Sequence, residues 1–189
     1  MNRRTLLKWL SRGLAFCCAA FVAVPGVGFV VDSLRRKPAS TATLKRIAML
    51  KTLPVGKPIQ VPVIDNRRDA WTLHPAETVG RVWLVRRTDD SVDAAEAKID
   101  AFTSVCPHLG CAINMAPSGE NFTCPCHQAS FGFDGEPLKP REPGQENVTP
   151  RGMDSLESQL VQDENTGEWW VEVKYEKFEP GLTRKVART

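Results

Sequence analysis

The chain has 189 residues, 42% of them hydrophobic and 25% charged, which is enough for one modest domain plus an attachment device but not for several independent cores. The formal net charge of +3 is small, and much of the positive charge falls in the first 51 residues, so no basic groove for nucleic acid is implied. The six cysteines divide into two groups: Cys17 and Cys18 lie in an apolar run, while Cys106, Cys111, Cys124 and Cys126 crowd together, and chemistry is to be sought in the second group.

The first segment, Asn2-Arg3-Arg4-Thr5-Leu6-Leu7-Lys8, resembles a twin-arginine export signal, with Arg3 and Arg4 as its pair. That route carries folded proteins, which suits a domain that acquires its cofactor before export. Leu14 to Val31 follows as an uncharged run, just long enough to cross a bilayer core at about 1.5 Å per residue. Pro25, Gly26 and Gly28 are tolerated in such a helix. Basic residues flank the run on both sides, so orientation rests on the export motif more than on charge. No A-x-A cleavage site follows. The expectation is a single-pass, uncleaved anchor in a bacterial inner membrane, its head on the exported, periplasmic side. Residues 1–13 are assigned to the signal, 14–31 to the anchor, 32–56 to an irregular basic tether, and 57–189 to the head.

Runs at 57–64, 81–87, 98–105, 156–162 and 168–175 are alternating or rich in β-branched and aromatic residues, and predict a mainly β head. His74, in Leu73-His74-Pro75, falls in a segment of loop character with no ligand-type neighbour and reads as a surface histidine. Pro137 to Pro150 reads as a proline-rich loop.

Two short boxes carry the candidate chemistry: Cys106-Pro107-His108-Leu109-Gly110-Cys111 and Cys124-Pro125-Cys126-His127. Each offers a thiolate and an imidazole at close spacing plus a further cysteine. Two sulfurs and two nitrogens suit zinc, or an iron–sulfur centre with histidines on one iron. A zinc site would leave Cys111 and Cys126 without a role, and its usual C-x2-C spacing is not the C-x-H seen here.

C-x-H-x-G-C followed by C-P-C-H resembles the Rieske iron–sulfur family, in particular its quinol-oxidising branch. The resemblance is specific over 106–135. It implies an antiparallel β-sandwich head with cluster loops at its tip, holding one [2Fe-2S] cluster. Cys106 and Cys124 would bind one iron, His108 and His127 the other, and a Cys111–Cys126 disulfide would join the loops, as suits an oxidising compartment. Two ferric ions and two sulfides carry two positive charges. Four thiolates would leave a net negative centre, whereas two thiolates leave a neutral one that accepts an electron more readily, moving the potential from about −400 mV into a range of about −150 to +300 mV. His127 would be the catalytic residue, accepting a quinol proton while the cluster takes the electron. The head would then swing on its tether to a cytochrome haem. Implied partners are cytochrome b-type and c-type subunits, a membrane quinol and the lipid bilayer, in a respiratory quinol:cytochrome c oxidoreductase active only as a complex. The small Rieske subunit of a molybdenum enzyme such as arsenite oxidase is the alternative, and a zinc-stabilised binding domain a third reading.

The chain departs from the family where high-potential members have G-S-x-Y after C-P-C-H. Here Gln128-Ala129-Ser130-Phe131 stands, and neither Ala129 nor Phe131 has a side-chain donor for a cluster sulfur. A lost donor leaves more negative charge on sulfur and lowers the potential, as suits menaquinol. Ser130, one position away, should point elsewhere. Pro107 replaces the family's usual threonine and predicts a stiffer loop. Gly135 falls at a family glycine, where a side chain would obstruct a turn. Pro143-Gly144 and Pro150-Arg151-Gly152 are the two segments that could take the place of the family's cluster-covering proline loop.

Overall fold

The computed structural model describes residues 2–35, 43–68, 72–139 and 147–188. The chain divides into two units, 1–39 and 40–189. In the first, helix α1 runs from Arg3 to Arg35 and contains Pro25. It is apolar all round: Trp9, Phe16 and Phe21 are 67%, 74% and 83% exposed, and none of its most apolar window, of mean hydropathy 2.4, is buried. Such a surface is stable in lipid rather than in water. The expected anchor, 14–31, lies wholly inside α1.

Among the described residues, the second unit holds three antiparallel three-stranded sheets. The strands are β1 (Leu44–Met49), β2 (Ile59–Arg68), β3 (Leu73–Arg86), β4 (Ile99–Thr103), β5 (Asn114–Met115), β6 (Phe122–Thr123), β7 (Ser130–Phe131), β8 (Ser158–Gln162) and β9 (Trp169–Lys174). They are ordered β1-β9-β8, β2-β3-β4 and β5-β6-β7. The mainly β head is therefore as the sequence implies, and β2, β3, β4, β8 and β9 overlap the five expected runs.

Two of the expected boundaries need correction. Residues 44–56 are not tether. Leu44–Met49 pairs with β9 from Leu44↔Lys174 to Met49↔Trp170, and Leu50 and Leu53 are buried in the core. A register shift between Arg46 and Ala48 breaks the alternation that would have betrayed the strand. Arg46 ties it down by ion pairs to Asp163 at 2.7 Å and Glu172 at 3.1 Å. His74 and Pro75 lie in β3 rather than in a loop, with His74 opposite Arg67. The register slips between Asp65 and Arg67 and Ala76 has φ +52°. Pro75, which cannot donate to a ladder, sits in that bulge.

Strand β3 is the shared wall of the head. Val82 and Leu84 face one core with Val63, Ala101, Val171 and Val173. Trp83 and Val85 face a second core with Phe102, Ile113, Phe122 and Phe131. Burial on both faces explains why Val82-Trp83-Leu84-Val85 is continuously apolar. Phe122 and Phe131 are fully buried, each contributing about 1.5 to 3 kcal/mol. This second core carries the small β5-β6-β7 sheet; the β4–β5 connection bears the first box and the β6–β7 connection the second. Trp83 fastens it to the wall, donating its Nε1–H to the Ile113 carbonyl at 3.1 Å and stacking tilted on Phe122 at 4.9 Å.

Candidate metal centre

Each box is a tight loop closed by its own backbone. In the first, the Gly110 amide donates to the Cys106 carbonyl at 2.9 Å and the Cys106 amide to the Cys111 carbonyl at 2.8 Å. Gly110, at φ +81°, turns the chain where an L side chain would be strained. In the second, the Cys124 amide donates to the Ala129 carbonyl at 2.8 Å, and Gln128 takes φ +58°. These turns direct one cysteine of each box inward. Cys106 and Cys124 are each 1% exposed and belong to the second core, while His108 is half-buried and His127 exposed.

The loops meet. The rings of His108 and His127 stand edge to face, 4.8 Å between centroids, and Cys111 is disulfide-bonded to Cys126. The sulfurs of Cys111, Cys124 and Cys126 lie within 4.8 Å of one another. Two of those three sulfurs are committed to the disulfide, which leaves Cys106 and Cys124 as the free thiols of the head among the described residues.

Burial pushes the Cys106 thiol up to about 11; the amides of His108 and Leu109 partly offset this, and the neighbouring Cys124 raises it further. A thiol so placed does not ionise readily unaided. A bound cation supplies the missing compensation. Inward sulfur donors, amides already directed at one sulfur, and two nitrogen donors at the rim fit a two-sulfur, two-nitrogen iron–sulfur group.

The residues expected to tune such a group are placed without donors near the second box. Ala129 is 1% exposed and Phe131 fully buried. The Ser130 hydroxyl donates to the Gln128 carbonyl at 3.3 Å. Pro107 is fully buried. Gly135, at φ +82°, has Phe102 against it, and a Cβ there would lie 2.5 Å from Phe102 Cε1, so the turn requires glycine. Pro150-Arg151-Gly152 reaches this turn: Gly152 packs on the Gly135 carbonyl, which accepts the Met153 amide at 2.8 Å. Pro143-Gly144 lies outside the described residues. His74 is half-buried in the β2–β3 hairpin, opposite Arg67. Sequence reading missed residues 176–188, whose Gly181 amide donates to the Pro107 carbonyl at 2.8 Å. No motif marks that segment.

The Rieske [2Fe-2S] domain description matches residues 46–151. The iron–sulfur subunit of the menaquinol:cytochrome c reductase of Bacillus subtilis is 27% identical over 139 residues, 71% of this chain and 75% of that protein. Its counterpart from Geobacillus thermodenitrificans is 28% identical over 140 residues, 71% of this chain and 75% of that protein. A solved structure described as "Hyperthermophilic respiratory Complex III" is similar at 18% identity and a TM-score of 0.38, covering 82% of this chain and 98% of that one.

Proposed function

This chain belongs to the Rieske [2Fe-2S] domain family, and on that premise we propose that it is the electron-transfer subunit of a menaquinol:cytochrome c oxidoreductase, with Cys106, His108, Cys124 and His127 as cluster ligands. The observation that carries the reading is the pairing of two buried thiols, Cys106 and Cys124, with two imidazoles 4.8 Å apart. When bound, the group supplies one-electron chemistry between about −150 and +300 mV.

The protein's own residues do the rest. The Cys106 and Cys124 loops hold the sulfurs out of water, where charge interactions are strong. His127, exposed at the rim, accepts a hydrogen bond and then a proton from a quinol hydroxyl and is the catalytic residue. His108 packs edge-on against it and limits its rotation. The Cys111–Cys126 disulfide keeps the two imidazoles together. Helix α1 holds the head at the membrane in which the quinol dissolves. Arg3 and Arg4 are read as a twin-arginine signal and the head as lying on the exported side, in keeping with a disulfide beside the site. The proposed cytochrome partners are a b-type subunit and a c-type haem acceptor, the second supported by the names of the two bacilli's proteins.

Menaquinol is a low-potential donor, and the absence of hydroxyls at Ala129 and Phe131 supports it. An EPR-monitored redox titration of membranes at several pH values tests the reading. The expected midpoint lies low in the Rieske range and falls as pH rises, because the imidazoles bind protons more tightly once the centre is reduced. Phe131→Tyr should raise it by about 50 mV, the equivalent of about one hydrogen bond to sulfur at 59 mV per tenfold. A parent midpoint near the top of the range, or a Phe131→Tyr variant with an unmoved midpoint, would overturn the low-potential assignment.

A further inference from the structure

A disulfide joins the two boxes at one point, and a separate tie, built on Arg151, holds the first of them from another direction. Arg151 is 10% exposed and paired with Asp154, which is 5% exposed. The guanidinium makes four hydrogen bonds. Its Nε–H donates to Asp154 Oδ1 at 2.9 Å and Nη2–H to Oδ2 at 2.8 Å, a two-pronged pairing that lysine cannot reproduce. Nη2–H also donates to the Glu179 carbonyl at 3.0 Å, and Nη1–H to that of Leu182.

Those two carbonyls flank Gly181, the residue whose amide holds the Pro107 carbonyl. The held peptide joins Pro107 to His108. Gly181 has φ +78°, and a Cβ there would lie 3.7 Å from the His108 carbonyl, so the strap lies close along the first box. On its other side the node is tied to the turn at Gly135 and to the end of β4. The Met153 amide holds the Gly135 carbonyl and the Asp154 carbonyl accepts the Thr103 amide at 2.9 Å, three residues before Cys106. The strap has further ties: the Phe178↔Ala187 bridge, the Lys185 ammonium 4.5 Å over the Phe178 ring, and the Arg188–Glu179 ion pair at 3.1 Å. Loss of Arg151 therefore frees its tip, 179–182, without detaching the whole segment.

We propose that Arg151 is a positioning residue of the cluster site, clamping the tip at 179–182 so that the Gly181 amide fixes the Pro107–His108 peptide and, through it, the His108 imidazole. The proposal rests on the ligand reading above but is testable apart from it.

The experiment uses full-length protein in detergent and the variants Arg151→Met and Arg151→Lys, with Val173→Ala as a control. Val173 is fully buried in the other core, so its truncation destabilises the head without touching the strap. Hydrogen exchange at the Gly181 amide is measured in disulfide-intact, cluster-free protein, and EPR line shape and midpoint in reduced, cluster-loaded protein. Both Arg151 variants should speed Gly181 exchange by about tenfold through local opening. They should also broaden the EPR signal and shift the midpoint, while Val173→Ala leaves all three at parent values for a similar fall in melting temperature. Lysine should not rescue, because a compact ammonium lacks the planar fork that spans both Asp154 oxygens and the two carbonyls. Gly181 exchange, line shape and midpoint all unchanged in Arg151→Met, or full rescue by lysine, would reduce Arg151 to a counter-charge for Asp154 and overturn the proposal. A parent without a Rieske signal would refute the ligand reading instead, and the exchange measurement would still report on the tie.

Discussion

Replacing Cys124 by alanine should abolish the reduced-cluster EPR signal and bring the iron content of the purified protein to background, while the head stays folded. Cys124 is 1% exposed and adjoins Cys106, so no water or surface residue can take its place beside an iron. The neighbouring sulfurs of Cys111 and Cys126 are joined to each other and are no substitute while the disulfide stands. One iron would then keep a single protein sulfur, and the affinity of a multidentate site collapses when a ligand is removed. The fold survives because the first core, with Val63, Val82, Leu84, Val171 and Val173, contains no cysteine. The sulfur lost from the second core leaves a small void, costing about 1 to 2 kcal/mol. Iron analysis and circular dichroism on the same sample check both halves. A Cys124→Ala protein that retains a full signal would place the ligands elsewhere.

Removing the disulfide, as Cys111→Ser with Cys126→Ser, should lower the stability of the head by about 3 kcal/mol, the chain-entropy cost of freeing a link across a sequence separation of 15. Changing both cysteines avoids a lone thiol close to Cys124. The cluster should be lost faster on warming than from the parent, since the two half-sites come from different loops. The ties that remain, such as Trp83 to Ile113 and Gly181 to Pro107, fasten the first box to the body of the head rather than to its partner box. Denaturant unfolding and the decay of visible absorbance at raised temperature measure the two effects. Unchanged stability together with unchanged cluster retention would show that the disulfide is idle.

Much of the site was legible in the sequence because each box is contiguous. Cys106 to Cys111 and Cys124 to His127 carry their chemistry in residue type and spacing, which survive without knowledge of the fold. The strands that could be read were those with one buried and one open face, such as β2, or with an apolar run too short for a helix, such as the end of β3. What escaped has physical reasons. The slip between Arg46 and Ala48 hid β1. Strands of two residues, such as Phe122–Thr123 and Ser130–Phe131, are too short to show a period at all. Pro75 marks a bulge in a strand here, where proline more often marks a loop. The contact of Gly181 with Pro107 joins positions far apart in the chain, and nothing local announces it. Arg151 was noticed only as part of a proline-containing segment; its four hydrogen bonds depend on a partner segment that only the fold brings near.

The histidine ligands are tested most directly by a pulsed-EPR measurement on reduced protein labelled with nitrogen-15 in histidine, made in parent, His74→Asn, His108→Ala and His127→Ala forms. Two strongly coupled imidazole nitrogens are expected in the parent, both retained in His74→Asn, with loss of the intact signal in either of the other variants. A centre with no coupled histidine nitrogen, or one whose coupling disappears with His74, would contradict the assignment of His108 and His127 as the ligands of the cluster.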